Sequence, residues 1–332
     1  IKFKSKNSDT EVLLNGLSKF GLSFLNRVTG QFAITFLDFD RNKLFFVRDR
    51  LGQKPLFYSF KNNNLLNGSW LAIFMKLLIK KPFLLRTGYD TYKFSIDEKK
   101  SFFKKTFYLL LTNLSLYFAD SYSVTSEADL NFSKRYYIQP KYTNIRPNWV
   151  NDYKYKELTS RYENRLLTVG RLEKQKNFER LIKDFVNTNY EIDIIGEGSD
   201  YKLLYELGHK YKVKVNFLGQ LKNNELIKKY SKYRFFISSS LFEGNPKTVL
   251  EAMSMGCLVL SLRNSSSEEL IDNYDSGIIF DDESTELKAL IENILEDYEN
   301  FESIAKKGHE KVLKSNSKEV LLKKEINFLS DF

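Results

Sequence analysis

The stretch Arg234–Val259, RFFISSSLFEGNPKTVLEAMSMGCLV, decides how the rest of the chain is read. Phe235, Phe236 and Ile237 form a short apolar β-type run, which Ser238 to Ser240 break. Asn245 suits a helix cap, and Pro246 suits the first helical position, where a missing N–H costs nothing. The helix then turns Val249, Leu250, Ala252 and Met253 inward, and Gly256 is placed to end it. A strand thus delivers Glu243 and Gly244 to the mouth of a helix. Free backbone N–H groups and the helix dipole at such a mouth favour an anion such as a phosphate. Gly244 lets a ligand approach the backbone closely.

Seven residues separate Glu243 from Glu251, an E-x7-E spacing. A carboxylate accepts hydrogen bonds from paired hydroxyls, as on a sugar or a ribose. Two of them flanking a phosphate site would fit a nucleotide-sugar. In isolation such a pair is more often a surface glutamate plus one on a solvated helix face. The pair could also serve as a glycosidase acid and nucleophile, but the phosphate-type mouth between them argues against that. The whole string EGNPKTVLEAMSMG resembles the donor-site signature of family 4 retaining glycosyltransferases (group 1).

Around this centre, residues 162–332 read as a complete doubly wound domain. Leu166 to Val169, Ile192 to Ile195, Val213 to Leu218, Leu258 to Leu262 and Gly277 to Phe280 are strands, with helices between them. Ligands of such a domain lie beyond the carboxyl ends of its strands. Gly170, Arg171 and Lys176 follow the first strand, and the two cations suit a diphosphate, Arg as a fork and Lys as a point charge. Gly196-Glu197-Gly198 reads as a turn after a strand. Ser265 to Ser267 read either as donor-facing or as a plain serine-rich loop.

The resemblance implies a GT-B fold and retaining transfer from a nucleotide-diphospho sugar, often uridine-linked. It implies catalytic roles for Glu243, Arg171 and Lys176. Gly170, Leu221, Gly244, Asn245, Lys247, Thr248 and Glu251 would bind the donor, with Glu243 on sugar hydroxyls and Glu251 on the ribose. The acceptor would be a glycan or a lipid-linked molecule, in cell-surface polysaccharide synthesis. No metal and no cofactor is expected; Asp38-Phe39-Asp40 falls in an expected hairpin turn, where Asp serves turn chemistry.

Residues 69–161 also alternate strand and helix. Trp70 to Ile79 reads as a helix, Pro82 to Arg86 and Ser121 to Thr125 as strands, and Thr143 to Asn151 as a strand and loop. Ser101 to Phe118 is an aromatic-rich amphipathic helix; such a stripe can touch a membrane, though core packing is its commoner use. The segment resembles the later part of the same family's acceptor domain, with Asn148 at its interdomain loop. The opening half is missing. The histidine that many members carry after the strand ending at Arg86 is absent, which leaves Arg86, Tyr89 or Asp90 for the acceptor side.

Residues 1–67 differ in kind. SDTEVLL begins an amphipathic helix with Ser8 or Asp9 as its cap; Gln31 to Leu37 and Lys43 to Val47 form a hairpin; Lys54 to Tyr58 is a third extended piece. With VRDRLGQKPLFY, these strings resemble the glutaminase of the asparagine synthetase family, in which the position of Asp9 helps to hold glutamine. The family's nucleophilic cysteine and oxyanion loop would precede Ile1, so no glutaminase activity is expected. The polar stretch 61–68 is the expected join.

The chain of 332 residues carries a formal charge of +10, spread largely as lysines along helices. An anionic membrane surface or a phosphate-bearing donor fits that charge; no nucleic-acid-binding pattern is present. The single cysteine, Cys257, is expected to be a buried structural thiol in a reducing compartment. No apolar run is long enough to span a bilayer. The expected location is cytoplasmic, peripheral at the inner face of the membrane. The expected architecture is therefore α/β: a complete Rossmann-type donor domain, a truncated acceptor domain and a partial α+β glutaminase-like segment. Two alternatives remain: a non-catalytic fusion product that binds donor only, or a remnant of a glutamine-hydrolysing asparagine synthetase.

Overall fold

The computed structural model describes residues 9–28, 33–38, 43–48, 73–74, 76–77, 83–281 and 286–330. Contacts divide the chain into two units, Ile1–Ile79 and Lys80–Phe332. In the first, the helix Asp9–Phe20 runs into a 3-10 segment, Gly21–Arg27. A Cβ on Gly16 would lie 2.2 Å from the Phe24 ring, so glycine lets that ring fold back on the helix. Strands β1 (Ala33–Asp38) and β2 (Lys43–Arg48) pair antiparallel, Asp38 opposite Lys43. The hairpin turn at 39–42, the extended piece at 54–58 and the join at 61–68 lie outside the described residues. Of the helix expected over Trp70–Ile79, residues 73–74 and 76–77 are described, and they are helical.

The described residues of the second unit form two parallel sheets. Strands β3 (Leu84–Arg86), β4 (Ser121–Val124) and β5 (Tyr142–Ile145) lie in that order. The larger sheet comprises β6 (Tyr162–Val169), β7 (Glu191–Ile195), β8 (Lys214–Phe217), β9 (Tyr233–Ser238), β10 (Leu258–Leu262) and β11 (Ile278–Phe280). Its order is β11-β10-β9-β6-β7-β8. Every residue of β9 and β10 is buried, as the near-continuous apolar runs of a central parallel strand require. Side-chain alternation divides the core in two. Leu166, Phe235, Ile237 and Leu260 enter one cluster, while Leu167, Phe236 and Val259 enter the other.

From β6 the chain builds outward through β7 and β8, then returns to lay β9 against the other edge of β6. The winding reverses between β6 and β9, where such folds open a ligand crevice. The last helix, Lys318–Ser330, returns to the smaller sheet. Val150 bridges Ser317, and Arg146 beyond β5 pairs with Glu325 at 2.7 Å.

Three local expectations change. The helix of the central stretch spans Lys247–Ser254, with Pro246 as its cap in an extended conformation (φ −69°, ψ 105°). Asn245 does not cap it, because its side chain serves another strand exit, described below. Ser265 to Ser267 open a helix, Ser265–Leu270, whose N–H groups at Ser266 and Ser267 donate to Asn264 Oδ1 at 3.0 Å each. The aromatic stripe of the helix Phe102–Phe118 is exposed, not packed into a core.

Candidate functional site

The crevice at the β6/β9 reversal is built from glycine turns and one long-range ion pair. Gly170 leaves β6, Gly196 leaves β7 and Gly219 follows β8; Gly170 N–H donates to the Ile195 carbonyl and Gly196 N–H to the Gly219 carbonyl, at 3.0 and 2.9 Å. At Gly196 φ is +146°, and a Cβ there would lie 1.9 Å from the Gly170 carbonyl oxygen. The turn Gly196–Gly198, weak as a motif, is therefore fixed sterically. A Cβ on Gly170 would meet Lys176 Cε at 2.9 Å, so this glycine makes room for the lysine stem.

Lys176 crosses the crevice to form an ion pair with Glu243 Oε1, both side chains 15% exposed. Neighbouring bonds hold the two loops in register. Gln175 Nε2 donates to the Phe242 carbonyl at 2.7 Å, Leu241 N–H to the Gln175 carbonyl at 3.0 Å, and Ser239 Oγ to the Lys176 carbonyl at 2.7 Å. Arg171 lies further out, half exposed and paired with Glu173 at 2.9 Å. Lys247, in the first turn of the helix Lys247–Ser254, lies 5.4 Å from the centre of the Trp149 ring. Thr248 beside it is half-buried.

Glu251 is inside the protein, 4% exposed. Asn223 Nδ2 donates to its Oε1 at 3.1 Å, Tyr230 Oη to its Oε2 at 3.5 Å, and Lys247 Nζ stands at 3.7 Å. Burial raises the Glu251 carboxyl above the ordinary carboxylate range, opposed by Lys247, Asn223 and Tyr230. Burial and the facing carboxylate also raise the Tyr230 hydroxyl. Leu221 is half-buried and packs against the core cluster that contains Tyr230. Sequence reading did not single out Gln175, Asn223, Tyr230 or Trp149; isolated polar or aromatic residues on three separate elements carry no local signal.

The smaller sheet meets the same loop. Asn148 N–H donates to Asn245 Oδ1 at 2.8 Å, and Asn148 Nδ2 to the Asn245 carbonyl at 2.5 Å, a reciprocal clasp. The Tyr89 ring stacks on Phe242 with centres 6.0 Å apart, and its hydroxyl donates to Asp97 at 2.5 Å. A Cβ on Gly244 would meet Tyr89 Cδ2 at 2.9 Å and the Gly88 carbonyl oxygen at 3.2 Å. Here glycine permits loop-to-loop contact. Arg86 donates to the Arg146 carbonyl at 3.2 Å. Asp90 caps the helix Thr91–Asp97, taking the Lys93 N–H at 2.8 Å and the Tyr137 hydroxyl on Oδ1; its Oδ2 is buried without a protein partner. Asp9 opens the helix Asp9–Phe20 of the first unit. Cys257 is buried, its thiol pushed up to about 11 by that burial. Among the described residues no cluster of His, Cys, Asp and Glu could hold a metal ion.

Residues 151–311, which contain this crevice, match the family Glycosyl transferases group 1. This part of the chain is a group 1 glycosyltransferase domain. Residues 1–126 match the family Glutamine amidotransferase domain, so the chain also has an amidotransferase-like N-terminal region. That match runs through β3 and β4, past the join expected at 61–68. Two relatives mirror the division. The chain is 40% identical over 62 residues to asparagine synthetase [glutamine-hydrolyzing] 2 of Bacillus subtilis, covering 19% of this chain and 8% of that protein. It is 30% identical over 160 residues to N-acetylgalactosamine-N,N'-diacetylbacillosaminyl-diphospho-undecaprenol 4-alpha-N-acetylgalactosaminyltransferase of Campylobacter jejuni, covering 44% of this chain and 43% of that enzyme. The chain thus spans less than half the length of these curated relatives. Among solved structures, HepE of Anabaena in complex with UDP and glucose superposes with a TM-score of 0.71 at 16% identity, over 81% of this chain and 77% of that one. Sucrose-phosphate synthase of Thermosynechococcus elongatus gives 0.68 at 18% identity, over 80% and 71%. Both show that the chain has a GT-B-like fold.

Proposed function

We propose that this glycosyltransferase moves a sugar from a uridine-diphospho sugar to a glycan or lipid-linked acceptor, with retention at the anomeric carbon, in cell-surface polysaccharide synthesis. The carrying observation is the meeting of Lys176 and Glu243 across the β6/β9 reversal. Negative charge builds on the departing diphosphate, and preformed cations and backbone N–H groups stabilise it. Lys176, Arg171 and the helix mouth at Gly244 to Thr248 supply that charge. Without donor, Glu243 neutralises Lys176; a bound diphosphate takes over the ammonium and leaves the carboxylate to sugar hydroxyls. Glu251 accepts the ribose hydroxyls, held in place by Asn223 and Tyr230. Asn148, Tyr89, Arg86 and Asp90 lie on the acceptor side of the crevice. The reaction needs no metal or cofactor in this scheme, and the enzyme works on the cytoplasmic side. HepE with UDP-glucose bound supports the choice of base.

Among the described residues the smaller sheet has three strands against six in the donor sheet, which favours a second reading in which donor binds without transfer. Thermal unfolding with a panel of nucleotide-sugars tests the first step. Donor at about a hundred times its Kd should add roughly 2.7 kcal/mol, and Arg171→Ala and Glu251→Ala should abolish the shift. A shift with no base, from a chain that melts cooperatively, would sink the proposal. Release of free sugar without any transfer product would select the second reading.

A further inference from the structure

The helix Phe102–Phe118 turns its more apolar side outward. Phe103, Phe107, Leu110, Leu114 and Tyr117 recur every three or four residues along one face, and all are exposed, Phe103 at 83%. The buried face holds Thr112, Ser115 and Leu116. A helix that faces water shows the reverse arrangement, and a contiguous apolar strip of this kind marks an interaction surface. Ile138, 51% exposed, adds to this apolar surface beside Asn113 of the same helix, whose Oδ1 accepts from its N–H at 2.8 Å.

The charges bordering the stripe say what covers it. The helix contains no acidic residue and carries Lys104 and Lys105 in its first turn, against the helix dipole. Lys134 and Arg135 end the helix Glu127–Tyr136, whose Tyr136 carbonyl accepts from Asn113 at 3.4 Å. Cations at both ends of an apolar stripe complement an anionic lipid surface, where rings enter the acyl boundary and lysines meet headgroups. A second copy of the same face would set these cations against each other, with no carboxylate on the helix to answer them. No helix among the described residues is long and apolar enough to cross a membrane. We propose that the Phe103–Tyr117 face docks the protein in the plane of an anionic bilayer. This surface is separate from the β6/β9 crevice, and its test needs no donor.

The test is sedimentation of the whole chain with vesicles of phosphatidylcholine alone and with one third phosphatidylglycerol, at low and high salt. Binding is expected to the anionic vesicles at low salt, and to fall about tenfold for neutral vesicles or high salt. Phe103→Asp with Phe107→Asp, and separately Lys104→Glu with Lys105→Glu, should each lose about tenfold while melting at the wild-type temperature. Leu322→Asp, on an exposed apolar residue elsewhere, should keep full binding. Absence of binding to anionic vesicles, or equal binding by the folded phenylalanine variant, overturns the proposal. So does a concentration-dependent dimer that Phe103→Asp dissociates, which would assign the face to a second copy.

Discussion

Glu251 is a carboxylate whose burial costs stability at neutral pH. Burial raises its proton affinity in the folded state, so the folded protein binds more protons than the unfolded chain. Stability from this group is full at low pH and falls as pH rises above the ordinary carboxylate range. Glu251→Gln should therefore raise Tm at neutral pH, and the gain should vanish near about pH 4. The same variant should weaken nucleotide-sugar binding, measurable by calorimetry. Cys257 makes a simpler test. Its buried thiol, raised to about 11, should resist alkylation at neutral pH in the native chain and react on unfolding. Gly196→Ala should cost more than about 3 kcal/mol in denaturant unfolding, since its Cβ would strike backbone and not a movable side chain.

At the scale of elements, the strand exits are tied to one another by polar bonds between residues far apart in sequence. The clasp between Asn148 and Asn245 joins the two sheets of the second unit at the lip of the crevice. Asn148→Ala removes its side-chain half, the Nδ2 bond to the Asn245 carbonyl, and should cost about 1 kcal/mol of stability. It should also raise KM for donor more than it lowers kcat, because the loop that carries Glu243 loses its brace. In sequence Asn245 has the pattern of a helix cap. The local pattern is that of a cap, but the side chain can satisfy only one set of partners, and the loop after β5 supplies them. The cap fell to Pro246, whose fixed φ suits the position. The serines at 265–267 show the converse: Asn264 is a capping residue directly before them, and they fold as a helix.

Across the whole molecule, the helix Lys318–Ser330 adds a further tie within the second unit, beside the Asn148–Asn245 clasp. Arg146–Glu325 and the Val150–Ser317 bridge bring the chain end back to β5. Glu325→Ala should cost about 1 kcal/mol and speed proteolysis after Ser317, with little change in donor affinity. The doubly wound architecture was legible in sequence because its signals are local. Apolar runs of four to six residues, glycine turns behind them and amphipathic helices between them follow from backbone geometry and burial alone. The string from Glu243 to Glu251 likewise marks a candidate site at the carboxyl end of β9, and the family match at 151–311 bears out the recognition. Tertiary structure alone paired Lys176 with Glu243, buried Glu251 against Asn223 and Tyr230, and left the Phe103–Tyr117 stripe facing outward. Each of these depends on which distant residues share a strand exit or cover a helix face. A periodic pattern records that a face is apolar; only the packed chain determines whether anything lies against it.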